Sequence, residues 1–237
     1  MRDGHLIFHG AVPVDEGGNY LPLSIDGAER TGRDMFDALS AVVQRAVRQR
    51  NESDLDWLWY LWTGPRSPLF GKDKMTTFER YFVADKATHK EVKNPYFKLL
   101  NQPEFCRKIL AGFGADPDMG MIVNGHVPVK PDRGEQPLKK SRKAITIDGA
   151  FSEAYGDRGY TLILDCEGAR LAEHHHFESV TEALEHGADT VPEVRDIQRF
   201  EVARIIGDTE RGAEIRAQIA ALERLIAAFS TNLIAEE

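Results

Sequence analysis

Apolar positions along this chain change their spacing twice, marking a mostly helical stretch, a mostly extended one and a final helix. Residues 4–9 read as a short strand, followed by a loop rich in Gly and Asp. Met35, Phe36, Leu39, Val42, Val43, Ala46 and Val47 then recur at helical spacing as far as Asn51. Asp34 stands ahead of them as the capping residue, since its carboxylate can accept from the free amides of a first turn. SDLDWLWYLW, residues 53–62, forms a second amphipathic segment ending at Gly64-Pro65, and its three tryptophans are expected in the core. Shorter helices are predicted over 76–84, over 94–101 with Asn94 as cap and Pro95 in the first turn, and over 103–113, closed by Gly114.

Beyond that point MGMIVNG, KAITIDG, GYTLILD and ARLAEH read as strands separated by glycine-bearing turns, with strands expected near 119–124, 144–148 and 159–165. The C-terminal segment returns to helix with Asp208 or Thr209 as cap. Its apolar positions Ile215, Ile219, Leu222, Ile226 and Phe229 are spaced four, three, four and three apart, a stripe expected to pack on a neighbour. The predicted class is mixed α/β, of the α+β kind. Residues 33–114 are mostly helix, 119–175 mostly strand and 208–230 a terminal helix, with no internal domain boundary.

At 237 residues and 42% hydrophobic content the chain can bury a sizeable core. Its net charge of -8 supplies no global field for nucleic acid or for an anionic membrane, although local patches can still bind phosphate. Cys106 and Cys166 stand alone, without the spacing of a zinc ribbon or a disulfide framework, and no apolar run has the length of a signal peptide or a membrane span. A soluble, cytoplasmic protein is the natural expectation.

Two short stretches carry the candidate chemistry. LIFHGAVPV places His9-Gly10 at the end of an apolar run, and MIVNGHVPV repeats the pattern with Gly125-His126, each followed by Val-Pro-Val. A strand end fixes an imidazole, and a glycine beside it lets a ligand approach without meeting a Cβ. Both strands are therefore expected to deliver their histidines to one edge of a sheet. Cationic loops accompany them: residues 62–82 carry Arg66, Lys72, Lys74 and Arg80, and Lys130 opens a second run after His126. In an acidic chain these point to an anionic substrate, phosphate above all. Of the two runs, 139–143 reads as a solvated loop, so an anion is expected near Lys72, Lys74 or Lys130. The cluster His174-His175-His176 cannot converge on one ion, because neighbours on a strand face opposite ways.

LWTGPRSPLFGKDKMTTFERYF, NGHVPVK, ITIDGAFSEAY with GYTLIL, and LIFHGAVPVD together resemble, in order and over nearly the whole chain, class III fructose-1,6-bisphosphatase, a family of calcineurin-like metallophosphoesterases. The resemblance implies a β-sandwich flanked by helices, with the helical middle as an insertion. It implies hydrolysis of fructose 1,6-bisphosphate to fructose 6-phosphate and phosphate, as in gluconeogenesis, by two divalent metals, manganese first with iron or zinc as alternatives. It maps metal ligation onto His9 and His126, and with the cationic loops it makes Arg66, Lys72, Lys74, Arg80 and Lys130 the substrate-binding candidates.

The superfamily's Asp-x-His, Gly-Asp-x-x-Asp-Arg and Gly-Asn-His-Glu motifs, which precede the His-Gly motif, do not occur ahead of His9. The chain thus resembles the C-terminal part of a longer enzyme. Its expected partners are a phosphorylated sugar and the missing N-terminal half, with homo-oligomerisation left open and neither nucleic acid nor membrane expected. Alone it is expected to be inactive, and the alternative is a non-catalytic remnant that binds phosphate or a protein partner through the same loops.

Overall fold

The computed structural model describes residues 1–148, 158–175, 179–186 and 192–231. Residues 149–155 of the ITIDGAFSEAY stretch and His176 lie outside the described residues. Strands β1 (Leu6–His9), β4 (Ile122–Gly125) and β5 (Ala144–Thr146) form a parallel sheet in the order β1-β4-β5. Strands β2 (Leu23–Ile25) and β3 (Ala28–Arg30) make a hairpin. β6 (Arg158–Leu164), β7 (Gly168–His175) and β8 (Glu193–Arg199) make an antiparallel sheet. The helices are α1 (Gly32–Gln49), α2 (Glu52–Thr63), α3 (Thr77–Phe82), α4 (Tyr96–Leu99), α5 (Pro103–Phe113), α6 (Val180–Glu185) and α7 (Glu210–Ser230). The mixed α/β class is as expected, and among the described residues no helix is long and apolar enough to cross a membrane.

Strand alternation builds the layers. Leu6, Ile122 and Ala144 project to one side of the parallel sheet and pack with Tyr96, Phe105, Ile109 and Leu110 of the helical layer. Met121, Val123 and Ile145 project to the other side and meet Ala169, Leu171 and Ile197 of the antiparallel sheet. The central strand β4 is therefore apolar at successive positions because both its faces are buried. A third cluster joins Ile25 of the hairpin to Met35, Leu39 and Val42 of α1 and Leu61 of α2.

Several expectations are corrected here. The hairpin occupies part of the stretch read as a loop, and its Asp26-Gly27 turn has both residues at positive φ (50° and 78°), as a tight two-residue connection requires. Helix α1 begins at Gly32 with Thr31 in the cap position, while Asp34 lies inside the first turn and pairs with Arg30 at 3.0 Å. Asn94 does cap its segment, accepting from the Tyr96 amide at 3.0 Å, and Thr209 caps α7 by accepting from the Gly212 amide at 3.2 Å. Of the tryptophans only Trp57 packs against a core cluster. Trp59 and Trp62 are 64% and 61% exposed and meet edge to face, since α2 turns only one flank toward α1. The α7 stripe is also largely exposed, with Leu222 at 59% and Ile226 at 64%, and none of its apolar residues belongs to a core cluster among the described residues.

Candidate metal centre

The parallel sheet determines the site. Register pairs His9 with Gly125, so β1 and β4 end together, and the residue after β4 is His126. The two imidazoles meet with ring centroids 5.4 Å apart and planes nearly perpendicular. This edge is the carboxyl end of parallel strands, where open α/β sheets collect their ligands. Asp148, two residues beyond β5, borders the same place, with its Cβ 3.7 Å from the point a Cβ on Gly125 would occupy.

The glycines have separate tasks. A Cβ on Gly125 would stand 2.8 Å from His9 Nδ1, so only glycine lets the imidazole lie across β4. Gly10, at φ +118°, lets the chain turn where a Cβ would come within 2.2 Å of the Pro68 carbonyl oxygen, and that oxygen accepts from the Ala11 amide at 2.8 Å. The loop 64–71 is in this way clamped against the end of β1. It is stiffened by the buried Ser67, whose hydroxyl donates to Leu61 O and accepts from the Leu69 amide. The same loop reaches His126, whose Nε2 lies 2.9 Å from Phe70 O. A carbonyl can only accept, so Nε2 carries the proton and Nδ1 is the nitrogen left with a lone pair in the neutral ring. That contact also anchors His126 at φ +85°, a backbone region that non-glycine residues rarely adopt.

The candidate cations are arranged differently from a ring around the histidines. Lys72 pairs with Glu91 at 2.8 Å, and Glu91 also accepts from the Thr76 amide and hydroxyl. The Lys72 ammonium is the first cause holding the Glu91 carboxyl down to about 2. Lys74 donates to Thr88 O, Arg80 to Thr76 Oγ1 and His89 O, and Arg66 to Pro22 O. Lys72, Lys74 and Arg80 thus tie together the segment 72–91 that follows the loop 64–71, and Arg66 ties that loop to Pro22. The Lys130 amide donates to Glu135 Oε2 at 3.1 Å. The solvated-loop expectation for 139–143 holds for the exposed Lys140 and Arg142 and is corrected for the rest: Lys139 is half-buried, Ser141 is buried against Cys106, and Lys139 and Lys140 line a cavity that also reaches Val127, the neighbour of His126. His174 and His175 are in β7 and occupied elsewhere, His174 Nε2 lying 2.8 Å from Thr161 Oγ1.

Two residues escaped the sequence reading. Asp148 repeats, in front of Gly149, the polar-residue-then-glycine ending of the first strand, and that echo could have found it. His5 is buried at the opposite end of β1, its Nδ1 accepting from the Met121 amide at 3.1 Å, and burial, ahead of Arg204, lowers its pKa. It locks β1 to β4 as a neutral ring.

The donor set suits a divalent metal in part. Two imidazoles meet at one edge with a carboxylate residue bordering them, yet among the described residues no three His, Cys, Asp or Glu side chains converge closely enough to hold an ion. Fold and site define a mixed α/β chain whose parallel sheet presents a partial nitrogen shell beside basic loops. Residues 1–231 match the family described as Firmicute fructose-1,6-bisphosphatase, and the chain belongs to that family. A protein named fructose-1,6-bisphosphatase class 3 from Alkaliphilus metalliredigens is 42% identical over 246 residues, covering 99% of this chain and 37% of the relative. Proteins of the same name from Staphylococcus xylosus and Bacteroides fragilis are 45% and 39% identical, covering 94% and 99% of this chain and 36% and 37% of theirs. The chain thus spans little more than a third of the length of these relatives. No solved structure matches it.

Proposed function

We propose that this chain is the His9- and His126-bearing C-terminal part of a cytoplasmic phosphatase that hydrolyses fructose 1,6-bisphosphate to fructose 6-phosphate and phosphate. The observation that carries the reading is the pair of imidazoles 5.4 Å apart in a chain that belongs to this family along almost all its length. The packed sheets support a single domain of the calcineurin-like sandwich type, with the mostly helical segment 33–114 as its insertion. His9 and His126 would hold a divalent metal, manganese by preference, with iron or zinc compatible with the same nitrogen and oxygen donors. With the remainder of the site in place, a metal pair there would supply Lewis-acid polarisation of a phosphoryl oxygen and a bound water of lowered pKa.

The chain's own residues prepare the place. Phe70 O orients His126, Gly125 makes room for His9, and Pro68 O holds the turn that follows it, while Arg66, Lys74, Arg80 and Lys130, with Lys72 already paired to Glu91, are the cations offered to a phosphorylated sugar. The carboxylates of a complete site belong to the part of the longer protein that the relatives possess and this chain does not match. The second reading, a non-catalytic remnant binding phosphate or a protein partner, is favoured by one observation, the lack of a three-ligand group among the described residues.

Phosphate release from fructose 1,6-bisphosphate separates the two. The chain alone should release none. Mixed with, or fused to, the remaining portion of the Staphylococcus xylosus relative, it should gain chelator-sensitive turnover that His9→Ala and His126→Ala abolish. Turnover indifferent to both substitutions would overturn the proposal.

A further inference from the structure

A sugar bisphosphate brings two dianions, and a hydrolase that cleaves one must hold the other. The cavity beside Val127 has the chemistry for the second. Its volume is about 360 Å³, and three lysines, Lys93, Lys139 and Lys140, line it against one carboxylate, Glu135. Phe97 and Leu138 supply apolar wall for the carbons of a sugar. The volume lies in the range of small-molecule sites, which pair apolar walls with a few convergent polar groups.

Its position links it to the imidazoles. His126 closes the pair at the end of β4 and the next residue, Val127, lines the cavity. Thr146, the last residue of β5, lines it too, and its hydroxyl bonds to Asn124 Oδ1 in β4 at 3.2 Å. The cavity thus runs along the outer flank of β5, from Lys139, whose amide donates to Ala144 O, to Thr146, and reaches the strand ends that carry the imidazoles at Val127. We infer that this cavity, gripped by Lys93 and Lys139, is the subsite for the phosphate ester that is not hydrolysed, an inference that rests on the bisphosphatase reading.

Charge supports the geometry. Lys72 is neutralised by Glu91 at 2.8 Å, whereas Lys93 and Lys139 form no ion pair among the described residues. Burial is the first cause lowering the pKa of both ammonium groups. Glu135 opposes it, Lys130 adds to it at Lys93, and Lys93 adds to it at Lys139. Cations held together with one carboxylate among them favour an incoming dianion, which supplies the missing counter-charge through charge-assisted hydrogen bonds. None of this was visible from Lys93 itself, a lysine in a charged stretch, because its neighbours come from forty residues further on.

The test is titration of the 237-residue chain with fructose 6-phosphate, which keeps only the second ester, followed by calorimetry and amide NMR. Shifts should centre on Val127, Gly134 and Thr146. Lys93→Met and Lys139→Met, which keep the stem and remove the charge, should each weaken binding about tenfold, and Lys139→Arg should retain it within about threefold. Unchanged melting temperatures guard against misfolding. Affinity unaltered by both methionine variants, or shifts away from the cavity, would overturn the subsite, even if metal-dependent binding of the bisphosphate through His9 and His126 kept the enzymatic reading intact. Loss of fructose 6-phosphate binding in the lysine variants would support the subsite, and absence of metal-dependent turnover from the chain completed with the remaining portion of the relative would separately remove the hydrolase reading. Inorganic phosphate binding as tightly as the ester would assign the cavity to the free anion and overturn its role for a sugar.

Discussion

Replacing Gly125 by alanine should separate the site from the fold. The residue is in β4, opposite His9, and its φ is one that alanine adopts without strain. The added Cβ would lie 2.8 Å from His9 Nδ1, about 0.6 Å inside ordinary van der Waals contact, which begins near 3.4 Å. The next atoms are His9 Cε1 at 3.3 Å and Asp148 Cβ at 3.7 Å, so the clash falls on one exposed imidazole that can rotate, and the backbone is spared. Stability should therefore change by less than about 1 kcal/mol, since a tolerated glycine-to-alanine change restricts the unfolded chain and offsets part of the contact. Metal ligation is less forgiving: donor distances hold to within about 0.2 Å, and a displaced ligand weakens binding by about tenfold or more. The assay is Mn²⁺ titration of the parent and Gly125→Ala chains, read by paramagnetic broadening of histidine ring protons, with urea denaturation alongside. Equal broadening of His9 in both proteins, at equal stability, would refute the idea that this glycine exists to seat the imidazole.

Glu91→Gln should loosen the loop that carries Phe70. The folded carboxyl is held at about 2 against an ordinary 4.5, so its stabilisation is complete above about pH 4.5 and vanishes as pH falls toward 2. With Lys72 one-third exposed and screened, the contribution is about 1–2 kcal/mol; urea midpoints of the parent should fall between pH 5 and 2.5 more steeply than those of the variant, and parallel profiles would contradict this. On α7, Leu222→Ser and Ile226→Ser remove side chains that are already in water and should shift the urea midpoint by under about 0.5 kcal/mol, whereas Ile145→Ala between the sheets should cost about 2–5 kcal/mol. A large loss on α7 would show that its stripe is covered in solution.

What the sequence made legible was local. The echo of a histidine and a glycine at the end of an apolar run, together with the family resemblance, pointed to His9 and His126 meeting, and the structure supplies the reason, since parallel strands that end in register deliver their last residues to one edge. The periodicities and turn signals also located the helices from α1 to α5 and five of the strands, β1, β4, β5, β6 and β7. What stayed hidden depended on partners distant in sequence. Lys72 read as a free phosphate cation because nothing in its own turn announces Glu91, nineteen residues on. Strand β8, EVRDIQR, was missed since its alternation is mostly between charges, as an edge strand tolerates. The Asp26-Gly27 hairpin carried a recognised turn signal and was passed over as loop. Hydrophobicity alone predicts a core place for Trp59 and Trp62 and a packing neighbour for the α7 stripe, but it states that a face prefers cover and not what covers it.

The metal-binding role of the two histidines is open to one direct measurement. Mn²⁺ added in small steps to the whole chain, with all described histidines followed by ring-proton NMR, should broaden His9 and His126 first and together, leaving the buried His5 and the strand residues His174 and His175 sharp, and acidification should reverse it because the imidazoles must shed protons to bind. Broadening that begins at His174 or His175, or that reaches His9 without His126, would contradict a shared metal centre.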